Sequence, residues 1–188
     1  MTDPAAAPDA CVLDGCVLVP ACLRDTVLRL AEEPALYLPR WSDQIIEEMV
    51  RTLRLKLNVG SAQTDHLAVC LRDAFPEAWI TDFEPLIAGM ANEPKDRHVL
   101  AAAARAGAQT IVTFNTKHFP KAALDPWGIE AQSPDDFLMH LYHLNPRLTT
   151  RRLLQEAADT SRTLPELLSA LGIAAPGFEK LLAADGHG

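Results

Sequence analysis

Apolar and polar positions along the chain switch between two spacings. Residues 11–19, CVLDGCVLV, form a continuous apolar run broken only by Asp14 and Gly15, which predicts a first, central strand covered on both faces. Past Pro20, the residues Leu23, Val27, Leu30 and Ala31 recur at helical spacing until Pro34 stops them, and residues 35–38 predict a short second strand. Ser42 is placed to cap a helix reaching about residue 57, with Ile45, Ile46, Met49, Val50, Leu53 and Leu57 along one stripe. Another helix begins at Ser61 with Leu67, Cys70, Leu71 and Ala74 facing inward. Trp79 and Ile80 predict a short strand, and residues 85–90 a brief helix.

Residues 92–120 carry the densest pattern. An acidic helix start runs into an alanine-rich helix, Gly107 supplies its stop, and residues 110–114, TIVTF, predict a strand buried on both faces. Residues 129–131 predict a last strand. Ser133 and Pro134 then open a helix carrying Phe137, Leu138, Leu141 and Tyr142, with Asp135 and Asp136 suited to its first turn. Strands alternating with helices imply βα units, so the expectation is an α/β fold with a mostly parallel sheet of four to five strands covered on both faces.

Asn145 and Pro146 mark a boundary. Helical patterns follow at residues 148–158, 164–171 and around 178–182, with Gly172 as a stop. Five basic residues there (Arg147, Arg151, Arg152, Arg162, Lys180) balance five acidic ones (Glu156, Asp159, Glu166, Glu179, Asp185). So small a segment buries no core of its own and must pack on the main domain, on a second copy or on another protein. The expected organisation is a flexible, Ala-, Pro- and Asp-rich arm over residues 1–10, a main domain over 11–144, and a C-terminal helical extension over 145–188.

Composition narrows the class. A chain of 188 residues that is 48% hydrophobic and 22% charged fits one well-packed domain with an appendage. No apolar run approaches a membrane span and the first residues lack the basic start of a signal peptide, so a cytoplasmic protein without membrane contact is expected. A net charge of −8 argues against holding nucleic acid on a general basic surface, while leaving room for a small basic groove. Cys11, Cys16, Cys22 and Cys70 show no C-x-x-C spacing and no histidine at zinc-finger distance, and read as reduced core residues.

A few polar residues fall where apolar ones belong. An unpaired carboxylate inside an apolar strand is costly, and neither Asp14 nor Gly15 suits a purely structural strand. The series Asp96, Val99, Leu100, Ala103 puts Asp96 on the apolar stripe of its helix, whereas a helix-start role alone would let it face water. Asn115 follows the 110–114 strand at the edge where open α/β sheets bind ligands, although a turn asparagine would look the same. Glu47 and Glu48 flank opposite edges of the stripe on the 42–57 helix, and periodicity does not choose between them. Asp14, Asp96 and Asn115 all point towards one edge of one sheet. With a glutamate from the neighbouring helix they make an oxygen set suited to Mg²⁺ or Mn²⁺, and such clustered like charge is costly without a cation.

In order and separation, LDGCVLVPA, WSDQIIEEMVRTL, PKDRHVLAAA and IVTFNTKHFP resemble the four acidic motifs of PIN-domain nucleases. More narrowly they resemble the VapC-type toxin branch, in which the first motif reads D-x-C-V-L and the last T-F-N-x-x-D-F-P. The resemblance spans about residues 12–141. It implies a PIN-like three-layer sandwich around a central parallel sheet, and a metal-dependent endoribonuclease that forms a homodimer and is inhibited by a cognate antitoxin. By position, Asp14 corresponds to the first acid, Glu48 to the second, Asp96 to the third and Asn115 to the fourth, the register WS-x-x-I-x-E-E favouring Glu48 over Glu47. Glu93 corresponds to an outer helper and Thr113 to a threonine that supports the site, with Glu47 alongside. Three departures stand out. Cys16 replaces the asparagine of many PIN proteins and removes a polar group beside the site, although the VapC-type branch shares it. Asn115 is neutral, which leaves three formal negative charges. His118 replaces an aspartate, and either alters metal affinity, contacts phosphate or is a surface loop histidine.

The mechanism implied is metal-assisted hydrolysis, with Asp14 and Asp96 holding the principal ion and Glu48 and Asn115 a second ion or its waters. In so acidic a chain RNA must be held by a few cations near the pocket, the candidates being Arg51, Arg97, Lys117 and Lys121. Single-stranded or looped RNA fits a small acidic cleft because its unstacked bases can enter. The competing reading is a catalytically weakened PIN-fold module that only binds RNA or a protein partner. No phosphate-cradling G-x-x-x-x-G-K-[ST] or G-x-G-x-x-G segment supports a nucleotide-binding protein instead.

Overall fold

A computed structural model describes residues 8–187 of the protein. Residues 1–7 of the expected arm lie outside the described residues, and Ala10 already belongs to the first strand. In chain order the elements are β1 (Ala10–Leu13), α1 (Gly15–Leu18), α2 (Ala21–Leu30), β2 (Leu38–Arg40), α3 (Asp43–Leu57), α4 (Ser61–Ala74) and α5 (Glu84–Ile87). Then come α6 (Arg97–Ala106), β3 (Thr110–Val112), α7 (Lys121–Leu124), β4 (Glu130–Gln132), α8 (Pro134–Leu144), α9 (Pro146–Asp159), α10 (Leu164–Leu171) and α11 (Pro176–Leu182).

The four strands are all parallel in the order β2-β1-β3-β4, with Val12 paired to Arg40 on one side and Ile111 on the other. A single bridge between Trp41 and Trp79 extends the pairing beyond β2, which is all that forms of the strand expected at Trp79 and Ile80. Val12, Leu13, Ile111 and Val112 are fully buried, so both faces of the central strands are covered by helices, as the continuous apolar runs require. The architecture is the helix–sheet–helix sandwich of a PIN-like α/β fold.

The first strand is shorter than its apolar run. Asp14 still donates its N–H to the Val112 carbonyl at 3.0 Å, but its own carbonyl accepts from the Val17 N–H at 2.9 Å, and the chain turns into α1. Gly15 lets α1 lie close against α3, since a Cβ there would meet the Ile45 carbonyl at 2.9 Å. The second strand likewise forms at residues 38–40 rather than 35–38, and β3 ends at Val112 although Thr113 still donates to the Gln132 carbonyl at 3.0 Å. Ser42 caps α3 as expected, its hydroxyl accepting from the Ile45 N–H at 3.3 Å, while Leu57 at the far end of the stripe is exposed.

The inward face expected for α4 is corrected. Its packed side is Thr64, Leu67, Ala68 and Leu71, and Cys70 and Ala74 are exposed, because α4 is covered mainly from the α3 side. All four cysteines are free thiols. Cys11 is buried, Cys16 and Cys22 are half-buried, and Cys70 is not a core residue.

The C-terminal helices pack on the rest of the chain. Asn145 caps α9 by accepting from the Leu148 N–H at 3.0 Å. The Thr26 hydroxyl of α2 meets the buried Glu156 carboxyl of α9 at 2.8 and 3.0 Å, and Arg152 donates to the carbonyls of Glu32 and Glu33 at 3.1 and 2.7 Å. Both oxygens of Asp135 on α8 accept from the first N–H groups of α11, Gly177 at 2.9 Å and Phe178 at 2.8 Å, which satisfies donors that a helix start leaves orphaned.

Candidate functional site

Asp14 stands where β1 leaves the sheet, 5% exposed. Its Oδ2 accepts from the Thr113 hydroxyl at 2.7 Å and from the Cys16 thiol at 3.2 Å. Burial, and after it the Asp14 charge, pushes the Cys16 thiol up to about 12, so Cys16 keeps its proton and donates it. The replacement of asparagine by cysteine therefore leaves a hydrogen-bond donor beside the first acid, contrary to the expectation of a lost polar contact. The Thr113 hydroxyl in turn accepts from the Asn115 N–H at 3.0 Å, which orders one chain of bonds from the end of β3 to Asp14.

Asp96 closes a 3-10 turn, Pro94–Asp96, at the N-cap position of α6, yet its side chain makes no capping hydrogen bond. Its Oδ2 lies 2.7 Å from His118 Nδ1 instead, so helix capping does not explain it and His118 is not a free surface histidine. Burial raises the Asp96 pKa, with the His118 hydrogen bond opposing and the Asp14 charge adding to the rise. The Glu93 side chain is exposed; its backbone ties the loop before α6 to the loop after β3, donating to the His118 carbonyl at 3.1 Å and accepting from the Asp96 N–H at 2.9 Å.

Glu48 projects from α3 with Oε2 at 3.4 Å from His98 Nε2. His98 is buried, and its Nδ1 lies 3.0 Å from the Lys95 carbonyl, which only accepts, so Nδ1 carries hydrogen. Its Nε2 is buried without a hydrogen bond and faces the carboxylate. Burial disfavours the His98 imidazolium, but the Glu48 carboxylate and then the Asp14 charge outweigh it, and the His98 pKa is raised.

Asp14, Glu48, Asp96 and Asn115 line one cavity of about 360 Å³. Arg51, Thr52 and Lys56 of α3, Lys95, and the α1 segment at Gly15 and Cys16 complete its wall. Among the described residues Asp14 and Asp96 are each hydrogen-bonded through one oxygen, Oδ2, and Glu48 turns Oε2 towards His98 at 3.4 Å. Among the described residues the other oxygens have no hydrogen-bond partner, Glu48 Oε1 having only Arg51 at 3.9 Å. A carboxylate held by one oxygen and free at the other suits direct ligation of a hard divalent ion, whose carboxylate ligands are themselves hydrogen-bonded by groups behind them. Among the described residues no three His, Cys, Asp or Glu side chains enclose a common metal position. The acids face a shared cavity rather than a shared point, and the fit to an ion is one of donor type and placement.

The cations expected near the site are only partly there. Arg51 lines the cavity, whereas Arg97 donates to the Asn92 carbonyl at 3.3 Å, Lys121 pairs with Asp125, and Lys117 is exposed on the turn after Asn115. None of those three lines it; Lys56 and Lys95 do. Glu47 opens onto two neighbouring grooves instead. Lys56 carried a sequence signal, since Glu48, Thr52 and Lys56 follow at i, i+4 and i+8 on one helix face. Lys95 adjoins Asp96, and His98 is a lone histidine in an alanine-rich buried helix, a signal without a direction.

No family profile matches the chain. A protein of Mycobacterium tuberculosis named "Putative ribonuclease VapC50" is 44% identical over 104 residues, which are 54% of this chain and 62% of that protein. The chain thus spans less than two thirds of the relative's length. Identity at that level over half the chain, with the sheet order and motif order described above, makes this protein similar to a VapC-type protein over that stretch.

Proposed function

We propose that the protein is a divalent-metal-dependent endoribonuclease of the toxin–antitoxin kind. The observation that carries this is the convergence of Asp14, Glu48, Asp96 and Asn115, from four separate segments, on one cavity with Arg51, Lys56 and Lys95 at its wall. Oxygen donors of this type suit Mg²⁺ or Mn²⁺, with Asp14 and Asp96 as the principal ligands and Glu48 and Asn115 holding a second ion or ordered waters. A bound ion supplies an activated water and offsets charge on the phosphorane-like transition state.

The chain's own part is positioning. Thr113 and Cys16 hold Asp14 through Oδ2, His118 holds Asp96 through Oδ2, and His98 sits against Glu48 Oε2, which leaves an oxygen of each acid for the cavity. Arg51, Lys56 and Lys95 bind the phosphates flanking the scissile bond. Single-stranded or looped RNA is the substrate class, since bases must splay apart for a phosphate to enter so small a cavity. A cognate antitoxin and a second copy of the chain are the proposed protein partners. The groove of about 560 Å³ between α3 and α4, lined by Ile46, Val50, Leu55, Val69 and Trp79, offers apolar surface for one of them.

The test is cleavage of single-stranded RNA in Mn²⁺ beside a DNA oligonucleotide of the same sequence, with the unmodified chain, Asp14→Asn and Asp96→Asn. Cutting of RNA alone by the unmodified chain, abolished by EDTA and by either substitution, is expected. Equal cutting by all three proteins, or by none, supports the binding-module reading, in which His118 has taken an Asp96 oxygen out of metal chemistry. Co-purification with the product of an adjacent small reading frame tests the antitoxin, and light scattering the dimer.

A further inference from the structure

Helix α4 carries a second pair of metal-ligating side chains, of a different chemistry from the acid cavity. His66 and Cys70 lie one turn apart and both are exposed. Cys70 Sγ is 3.4 Å from His66 Nε2 and 4.0 Å from Nδ1. The packed side of α4 runs through Thr64, Leu67, Ala68 and Leu71, so at helical spacing His66 and Cys70 fall on the opposite face, where no core packing accounts for them.

The separation is informative. Sulfur and nitrogen atoms bound to one tetrahedral Zn²⁺, at about 2.3 and 2.0–2.1 Å from it, stand roughly 3.5 Å apart. The observed 3.4 Å is close to that bite; because the sulfur also lies 4.0 Å from Nδ1 it stands beside the ring, and a turn of the exposed imidazole aims the Nε2 lone pair at an ion shared with the sulfur. We propose that His66 and Cys70 form a surface site for a borderline transition-metal ion, Zn²⁺ or Co²⁺, with water in the remaining positions.

In the metal-free chain the same contact holds the thiol proton between sulfur and nitrogen. Binding exchanges that proton for the ion: the S–H bond breaks, a metal–sulfur bond forms, the proton leaves to solvent, and His66 Nε2 donates its lone pair. No redox change is involved. Among the described residues no third His, Cys, Asp or Glu completes the set, which keeps the ion open to exchange. Ligand softness sorts the two places, oxygen donors in the Asp14–Glu48–Asp96 cavity taking hard ions and the α4 pair taking ions that accept thiolate and imidazole.

The experiment is a Co²⁺ titration of the full chain, followed by the thiolate-to-cobalt charge-transfer absorption. One equivalent is expected to produce the band in the unmodified chain and in the Asp14→Asn, Asp96→Asn double variant, and none in Cys70→Ser or His66→Ala. Both single changes lie on an exposed helix face, and unchanged helical circular dichroism verifies their folds. A band that persists in Cys70→Ser or His66→Ala, one that disappears in the double aspartate variant, or no band in the unmodified chain overturns the proposal. Because the readout is the sulfur–cobalt bond, it stands apart from whether the acid cavity cuts RNA.

Discussion

At the scale of single side chains, the cavity acids are aimed by their neighbours. Glu48 lies on a helix face that would otherwise leave it solvated, and His98 is the group that meets it from α6. Replacing His98 by Ala is expected to weaken Mn²⁺ binding by about 10–100-fold, the usual cost of losing a partner behind a ligand. Calorimetric Mn²⁺ titration of the two proteins measures it, and an unchanged affinity would show that Glu48 needs no help from His98. Gly15 acts through space rather than through chemistry. A methyl group there would lie 2.9 Å from the Ile45 carbonyl, so Gly15→Ala must push α1 off α3. We expect a loss of about 1–3 kcal/mol in urea denaturation, with a fall in RNA cleavage because Asp14 is the next residue.

At the scale of elements, α9 meets α2 through a buried polar pair whose protons can be counted. The Thr26 hydroxyl has one hydrogen, and within reach are the Cys22 carbonyl at 3.0 Å and both Glu156 oxygens at 3.0 and 2.8 Å. A protonated Glu156 solves this, since its own O–H donates to Thr26, which donates to Cys22. Burial raises the Glu156 pKa from 4.5 to about 7, the Thr26 hydrogen bond opposing. The folded pKa therefore exceeds the unfolded one, and the contribution to stability is fully present below about 4.5 and lost as pH rises through about 7. The difference amounts to roughly 3 kcal/mol, one pKa unit being about 1.4 kcal/mol. Glu156→Gln is expected to remove this slope and to raise stability above pH 7. Denaturant melts across that pH range check it, and parallel curves for the two proteins would count against a titrating Glu156.

At the scale of the whole molecule, a chain of net charge −8 that binds RNA as proposed would have to confine that attraction to one place. Arg51, Lys56 and Lys95 are the cations at the cavity wall. Three phosphate contacts to a single strand give a slope of log K against log salt of about −2, at roughly −0.7 for each contact. RNA binding by the Asp14→Asn variant across a KCl series measures it, and Lys95→Ala is expected to make the slope shallower by about 0.7. A slope unaffected by Lys95→Ala would place the RNA elsewhere on the surface.

What the sequence determined by itself is local. Ser42, Ser133 and Gly107 announce helix ends, the apolar stripes of α3 and α8 announce their buried faces, and TIVTF announces a central strand, because caps and periodicity depend on residues only a few positions apart. Asp14 and Asp96 were conspicuous for the same reason, as charges in apolar company. Only the tertiary structure decided where β1 stops, since that depends on Gly15 lying against α3. It also decided that Lys56 and Lys95 rather than Lys117 and Lys121 face the cavity, that His98 meets Glu48 and His118 meets Asp96, and that Cys70 faces outward. Those outcomes are set by contacts between segments distant in the chain, such as Asp14 with Thr113, and no short window of sequence contains both partners.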